Sequence, residues 1–129
     1  MTTSTRKTIV VVDNSPTVMA LFERGIQDLN IELKLFDSTE DAWVYFTSNK
    51  PDLIFLNIKM PGKDGLTILT ELRELPLHKD TLVVMISSKD YAQDRSIASD
   101  LGALDFITKP MPIKMIRDTV IKHLNIDPS

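Results

Sequence analysis

Three short apolar runs divide the chain, Ile9–Val12, Leu53–Leu56 and Leu82–Ile86. Each run is continuous, which is typical of strands that are buried on both faces of a parallel sheet. Two weaker candidates, Glu32–Phe36 and Leu104–Thr108, complete a set of five. The first of these alternates between apolar and polar residues, a pattern that suits an edge strand better.

Helical patterns separate the apolar runs. Prolines at first helical positions predict helices that begin near Pro16 and Pro112, and Ser38 is a predicted N-cap. Two further helices are predicted over about Gly65–Leu75 and Asp90–Leu101. Strand followed by helix five times predicts right-handed crossovers and a parallel sheet covered on both faces, a doubly wound α/β fold.

Length and composition narrow the possible functions. The 129 residues fit a single domain over 1–129, with its core at about 7–125. The absence of cysteine excludes disulfide scaffolds and thiolate sites, and the two histidines, both expected in solvent, exclude a multi-histidine metal cluster. A net charge of −3 gives no basic surface for nucleic acid. The apolar runs are far shorter than the roughly 20 residues that span a bilayer, so we expect no membrane contact and a cytoplasmic protein.

Polar side chains follow four of the predicted strands. They are Asp13, Asn14, Asn57, Ser87, Ser88 and Lys109. Ligands of open parallel sheets bind at the carboxyl ends of the strands, where these side chains would meet. Each residue alone has a simpler explanation, such as a helix cap, a turn or a solvated lysine. Their joint occurrence at the same edge favours a functional site.

Four segments carry a resemblance to a known family: Val11–Pro16, Pro51–Gly65, Val84–Ser88 and Gly102–Pro110. In sequence and in spacing they resemble the receiver domains of response regulators, over essentially the whole chain. The resemblance implies a (βα)5, flavodoxin-like domain with the strand order 2-1-3-4-5. It also implies a cis peptide bond before Pro110.

The chemistry of that family is phosphoryl transfer from a histidine kinase to an aspartate, with Mg²⁺ held by acidic residues. By resemblance, Lys109 is the phosphate-binding lysine and Ser87 is the hydroxyl that senses the phosphate. Ser88 is small enough to leave room for the phosphate, and Phe106 occupies the position of the aromatic switch residue.

Two positions depart from the family pattern. Asn57 stands at the position of the phosphoacceptor aspartate, and a carboxamide is a poor nucleophile that cannot form the acyl phosphate. Asn14 stands at the second acidic position of the metal site. Of the three metal positions, Asp13, Asn14 and Asn57, only the first keeps a carboxylate. We therefore expect weak or absent Mg²⁺ binding and no other cofactor.

The leading interpretation is a degenerate receiver domain that is not an enzyme and acts through protein–protein contacts. Its partner would be a histidine kinase, another signalling protein or an attached output domain, and a homodimer is compatible with the sequence. The resemblance places the partner surface on Arg95, Lys114, Arg117 and Asp118.

Three alternatives stay open at this point, the last of them a structural interaction domain with no signal input. The first is a phosphorylatable regulator that carries an engineered Asp-to-Asn change at position 57, against which Asn14 argues mildly because two positions would have been altered. The second is a flavodoxin-like enzyme, which would need a phosphate-binding loop after the first strand. The sequence Asp13–Pro16 does not supply such a loop.

Overall fold

The computed structural model describes residues 6–126, so the ends of the predicted domain at 1–5 and 127–129 lie outside the described residues. Strands and helices alternate along the described chain. The strands are β1 (Lys7–Val12), β2 (Ile31–Phe36), β3 (Leu53–Asn57), β4 (Val83–Ser87) and β5 (Asp105–Thr108). The helices are α1 (Pro16–Gly25), α2 (Thr39–Phe46), α3 (Gly65–Glu74), α4 (Ala92–Asp100) and α5 (Ile113–Leu124). One turn of 3₁₀ helix, Pro76–His78, leads into β4.

The strands form one parallel sheet in the order β2-β1-β3-β4-β5, which confirms the predicted doubly wound topology. Strand β2 lies at an edge, as its alternating pattern predicted. The central strand β3 is buried along its whole length. The register pairs Asn57 with Ile86 and Ser87 with Thr108, so the carboxyl ends of β3, β4 and β5 lie side by side.

Two apolar layers cover the faces of the sheet and explain the continuous runs. Alternate residues of β1 enter opposite layers, since Ile9 and Val11 face one cluster while Val10 and Val12 face the other. The first cluster contains residues of α1 and α5, among them Phe22 and Ile116. The second contains residues of α2, α3 and α4, among them Phe46, Leu69 and Ala98.

Side-chain caps fix where three helices begin. The hydroxyl of Ser15 accepts from the N–H of Val18 at 3.3 Å, directly before Pro16 at the first helical position. Ser38 caps α2 as predicted, and Asp64 caps α3. Helix α4 has no side-chain cap and begins at Ala92, two residues later than predicted, because nothing at Asp90 or Tyr91 satisfies its first N–H groups.

The amino ends of the strands enclose a histidine that the sequence placed in solvent. His78 has no exposed surface. Its Nε2 lies 2.7 Å from the carbonyl oxygen of Phe46, and its Nδ1 lies 2.8 Å from the hydroxyl of Thr81. A carbonyl can only accept, so Nε2 carries the proton and Nδ1 accepts from the threonine. His123 is also largely buried, 3.9 Å from Asp105, so the prediction of two solvated histidines is wrong.

Arg73 crosses the same end of the sheet. Its guanidinium donates at 2.8 Å to each of three backbone carbonyls, those of His78, Thr81 and Leu101. These contacts join the end of α3 to the entry of β4 and to the turn before β5. Partial burial lowers the pKa of Arg73 from its usual high value. Within residues 6–126, no helix is long and apolar enough to cross a membrane.

Candidate functional site

The carboxyl ends of four strands bring together Asp13, Asn57, Ser87 and Lys109, which we call the rim. Three of these side chains are almost completely buried, with exposed fractions of 0% for Asp13, 4% for Asn57 and 5% for Ser87. Lys109 is partly buried and follows β5. The structure therefore assembles these sequence-predicted residues at the expected edge of the sheet.

The carboxylate of Asp13 is engaged by the chain itself. The Lys109 ammonium lies 2.8 Å from its Oδ2, an ion pair outside hydrogen-bond alignment. Its other oxygen, Oδ1, accepts from the backbone N–H of Ser15 at 2.9 Å. The peptide bond between Lys109 and Pro110 is cis, as the resemblance implied. The one carboxylate of the rim is therefore already neutralised by an internal cation.

The side chain of Asn57 acts as a hydrogen-bond donor. Its Nδ2 donates to the backbone carbonyl of Lys59 at 2.9 Å and lies 3.6 Å from Sδ of Met60. Both neighbours are acceptors, so the amide must present its NH₂ group to them and not its oxygen. Asn57 thus contacts the segment that follows it in the chain.

The loop between β3 and α3 returns to the end of β3. The N–H of Gly65 donates to the carbonyl of Ile58 at 2.6 Å. A Cβ atom on Gly65 would lie 2.2 Å from the carbonyl oxygen of Asn57, closer than any side chain allows. Glycine is therefore required at position 65 because the backbone approaches itself.

The two serines at the carboxyl end of β4 have different environments. The hydroxyl of Ser87 is buried and accepts from the backbone N–H of Lys89 at 3.0 Å. The carbonyl of Ser87 accepts from the N–H of Lys109 at 2.7 Å, which joins β4 to the end of β5. Ser88 is exposed. Ser87 is therefore part of the turn, while Ser88 faces solvent beside it.

Phe106 lies beneath Arg95. The phenylalanine ring is 9% exposed and belongs to the apolar layer under α2, α3 and α4. The Arg95 guanidinium lies 4.6 Å from the ring centroid, within the range of a cation–π contact. Arg95 also bonds to Asp90, and this hydrogen bond raises the pKa of Arg95. The guanidinium covers the ring of the predicted switch residue.

Asn14 is not one of the buried rim residues. It is exposed and lines, together with Asp13, Asp37 and Asp41, a depression of about 450 Å³ between α1 and α2. Asp41 was not among the residues predicted for this edge, although its position in the first turn of α2 is a usable signal. Even so, no group of three Asp, Glu or His residues is arranged to hold a metal ion within residues 6–126.

The residues of the predicted partner surface make different contacts within the domain. Lys114 and Asp118 pair with each other at 2.6 Å on the exposed face of α5, and Arg95 lies on α4. Arg117 instead bonds to Asp28 in the connection after α1, which lowers the pKa of that carboxyl group. This contact of Arg117 therefore links α5 to the connection that follows α1.

Comparison with known families decides the classification. The sequence model of the response regulator receiver domain matches residues 9–121. This chain belongs to the receiver domain family. Membership of a two-component signalling family removes the flavodoxin-like enzyme from the alternatives that the sequence left open.

Curated relatives extend well beyond the part that this chain matches. The cyclic di-GMP phosphodiesterase response regulator RpfG of Xanthomonas campestris is 32% identical over 111 residues, which are 84% of this chain and 29% of that protein. The alkaline phosphatase synthesis transcriptional regulatory protein PhoP of Bacillus subtilis is 30% identical over 104 residues, 81% of this chain and 42% of that protein. The chain thus spans less than half the length of these relatives.

Solved structures share the fold. The phosphorylated cyanobacterial phytochrome response regulator RcpA has a TM-score of 0.86 at 23% identity, covering 97% of this chain and all of that one. The chemotaxis response regulator CheY4 of Vibrio cholerae has a TM-score of 0.84 at 18% identity, covering 92% of this chain and 99% of that one. These likenesses confirm the flavodoxin-like (βα)5 receiver fold.

Proposed function

We propose that this chain is a degenerate receiver domain, which signals through protein–protein contacts without accepting a phosphoryl group at position 57. One observation carries the proposal: the residue at the end of β3 is an asparagine whose buried amide donates to its own loop. A neutral carboxamide cannot form the acyl phosphate of the family. The domain itself therefore catalyses no reaction in this proposal.

The residues at the metal positions do not fit Mg²⁺. This ion prefers several hard oxygen ligands, usually including carboxylates, and when bound it offsets negative charge on the transferring phosphoryl group. Here Asn14 and Asn57 carry no charge, and Asp13 is paired with Lys109. The Lys109 ammonium already supplies the positive charge that a metal ion would bring to the carboxylate.

Two other carboxylates that could be considered as acceptors are engaged in hydrogen bonds of their own. Asp64 caps α3 through the N–H of Thr67 at 2.8 Å. Asp52 lies at the opposite end of the sheet, where it accepts from the N–H of Thr8 at 2.8 Å. Neither is free to take the place of the missing acceptor.

Exposure to acetyl phosphate and Mg²⁺, followed by intact-mass measurement, tests the proposal. We expect no phosphoryl group on the parent protein. The Asn57→Asp variant should gain a small amount, and the double variant Asn14→Asp/Asn57→Asp should gain more, because both changes act on one metal site and are not additive. A stable phosphoryl group mapped to any rim residue of the parent would overturn the proposal.

The same experiment distinguishes this proposal from the alternative of an engineered Asp-to-Asn change. If Asn57 were an engineered change in an otherwise phosphorylatable regulator, Asn57→Asp alone would restore efficient phosphorylation and Asn14→Asp would add nothing. In the degenerate domain, efficient phosphorylation needs both changes. The amount of phosphoryl group on the single variant relative to the double variant therefore distinguishes the two.

The partner in this proposal is a histidine kinase, another signalling protein or an attached output domain. We place the contact on Arg95, Lys114 and Asp118, and we expect binding to be constitutive because no phosphate arrives to shift the domain. Lys114→Glu should weaken binding and Asn57→Ala should leave it unchanged. Arg117, also predicted for this surface, is a poorer probe because its substitution also breaks the contact with Asp28.

The control for the charge change is Lys79→Glu, at an exposed position beyond the other end of the sheet. Binding of the purified partner to this variant should equal binding to the parent. Loss of binding in a folded Asn57→Ala variant would show that the rim is an active switch, and would contradict constitutive binding.

A further inference from the structure

The loop between β3 and α3 is closed at both ends by contacts with the end of β3. At its far end, Gly65 approaches the backbone of Asn57 and donates to the carbonyl of Ile58. At its near end, the only polar side-chain contacts found among the described residues are those of the Asn57 amide with Lys59 and Met60. The path of the loop therefore depends on what the side chain at position 57 can donate.

The loss of these contacts is costly because both side chains are buried. Asn57 is 4% exposed and Met60 is 6% exposed, so water has little access to either side chain. A buried polar group that loses its partner pays the desolvation cost without compensation. The amide NH₂ satisfies the Lys59 carbonyl at 2.9 Å and places one hydrogen towards the thioether at 3.6 Å.

We propose that Asn57 is a positioning residue whose amide, as a hydrogen-bond donor, holds the β3–α3 loop in its closed path. The geometry is specific for an amide. A carboxylate in the same place would present lone pairs to a carbonyl oxygen and to a thioether sulfur, both of which are acceptors. Aspartate at position 57 would therefore open the near end of the loop unless a proton or a cation came between the oxygens.

This inference concerns the geometry of the loop and does not rest on the proposed function. The loop contacts exist whether or not the domain accepts phosphate or binds a partner. Phosphorylation is read by mass, whereas the loop is read by hydrogen exchange and fluorescence, so the two proposals can fail separately.

The structure supplies a fluorescent reporter for the loop. Pro61, Gly62 and Lys63 form one wall of a depression of about 530 Å³, and Trp43 of α2 lies on the facing side. Trp43 is the single tryptophan of the chain. Release of the loop should therefore change the emission of Trp43, independently of the unfolding of the sheet.

The test compares hydrogen exchange of residues 58–64 in the parent and in Asn57→Asp at neutral pH without divalent cations. We expect exchange in this segment to be about tenfold faster in the variant, which corresponds to the loss of one partly buried hydrogen bond. Exchange in β1 and β3 should be unchanged. The control Lys59→Met alters the net charge by the same amount at an exposed loop position, keeps the backbone carbonyl that accepts from Asn57, and should leave the segment protected.

Magnesium provides the decisive second arm. In Asn57→Asp, the new carboxylate and the Lys59 carbonyl would both be hard oxygens available to a cation, so saturating Mg²⁺ should restore protection and the Trp43 emission of the parent. Asn57→Ala has no carboxylate, so its loop should exchange faster at every Mg²⁺ concentration. The parent should not respond, since its amide already occupies the carbonyl.

Two outcomes would overturn the inference. Parent-like protection of residues 58–64 in Asn57→Asp without divalent cation would show that the amide donor is dispensable. Parent-like protection of the same segment in Asn57→Ala would show that no polar contact of the side chain at position 57 is needed to close the loop.

Discussion

The two ends of the sheet both bury polar side chains, and they use them differently. At the amino end, Arg73 and His78 donate to backbone carbonyls of segments far away in sequence, with separations of 28 residues to Leu101 and 32 to Phe46. At the carboxyl end, the side chain of Asn57 contacts residues two and three positions on. Among the side-chain contacts of the described rim residues, the ion pair of Asp13 and Lys109 is the one that joins segments distant in sequence.

This difference separates stability from responsiveness. Donors that join distant backbone segments hold the fold together, so their loss affects the whole domain. The rim instead contains short local contacts and one ion pair, whose loss changes a loop or a charge. A rim built in this way can diverge chemically, as at positions 14 and 57, while the fold is retained.

The largest expected effect is at the amino end. His78→Ala should lower the free energy of unfolding by about 3 kcal/mol, because it removes two buried hydrogen bonds and the packing of the ring against Phe46. Chemical denaturation measures the change. The adjacent exposed residue supplies the control, and Lys79→Ala should stay within about 0.5 kcal/mol of the parent. A loss below about 1 kcal/mol for His78→Ala would contradict the view that buried donors at the amino end of the sheet stabilise the whole domain.

The next effect tests the ion pair of the rim. Lys109→Met leaves the fully buried Asp13 carboxylate without a cation and should cost about 2 kcal/mol of unfolding free energy. Adding Asp13→Asn to the same chain should recover most of that loss, since no uncompensated charge remains. Urea unfolding of the parent, both single variants and the double variant measures the coupling. Additive losses would show that the two groups do not stabilise each other.

A smaller effect is expected in the rim loop. Gly65→Ala brings a Cβ against the Asn57 carbonyl and should cost about 1.5 kcal/mol through a shift of the loop. Gly62 is the matched control, because it separates backbone strain from steric contact. It has a φ of 79° but nothing within 4 Å of an added Cβ. Gly62→Ala should therefore cost about 1 kcal/mol through backbone strain alone. Faster exchange at residues 58–64 should accompany only the change at position 65.

Much of the fold and of the rim followed from the sequence. Continuous apolar runs predicted strands buried on both faces, and the residue after each run then predicted the members of the rim. His78 could not be placed in this way, because its burial depends on Phe46, 32 residues earlier. The role of Asn57 as a donor depends on the path of the loop. Arg117 contacts Asp28, which lies 89 positions earlier in the sequence, and no local sequence pattern predicts such a contact.

The smallest effect concerns acid stability at the amino end. Asp80 bonds to Lys50 at 2.6 Å between the entries of β4 and β3, and this hydrogen bond lowers the pKa of Asp80 in the folded protein. A carboxyl group with a lowered folded-state pKa stabilises the fold above its unfolded pKa of about 3.9, and this contribution disappears as pH falls through the folded value. Asp80→Asn should therefore be slightly less stable than the parent at neutral pH and equally stable in strong acid. Because the pair is exposed, high salt should reduce the difference at neutral pH. Urea unfolding at both pH values, with Asp37→Asn as the exposed control, measures it. A difference that persists unchanged in acid would mean that Asp80 acts through packing and not through its charge.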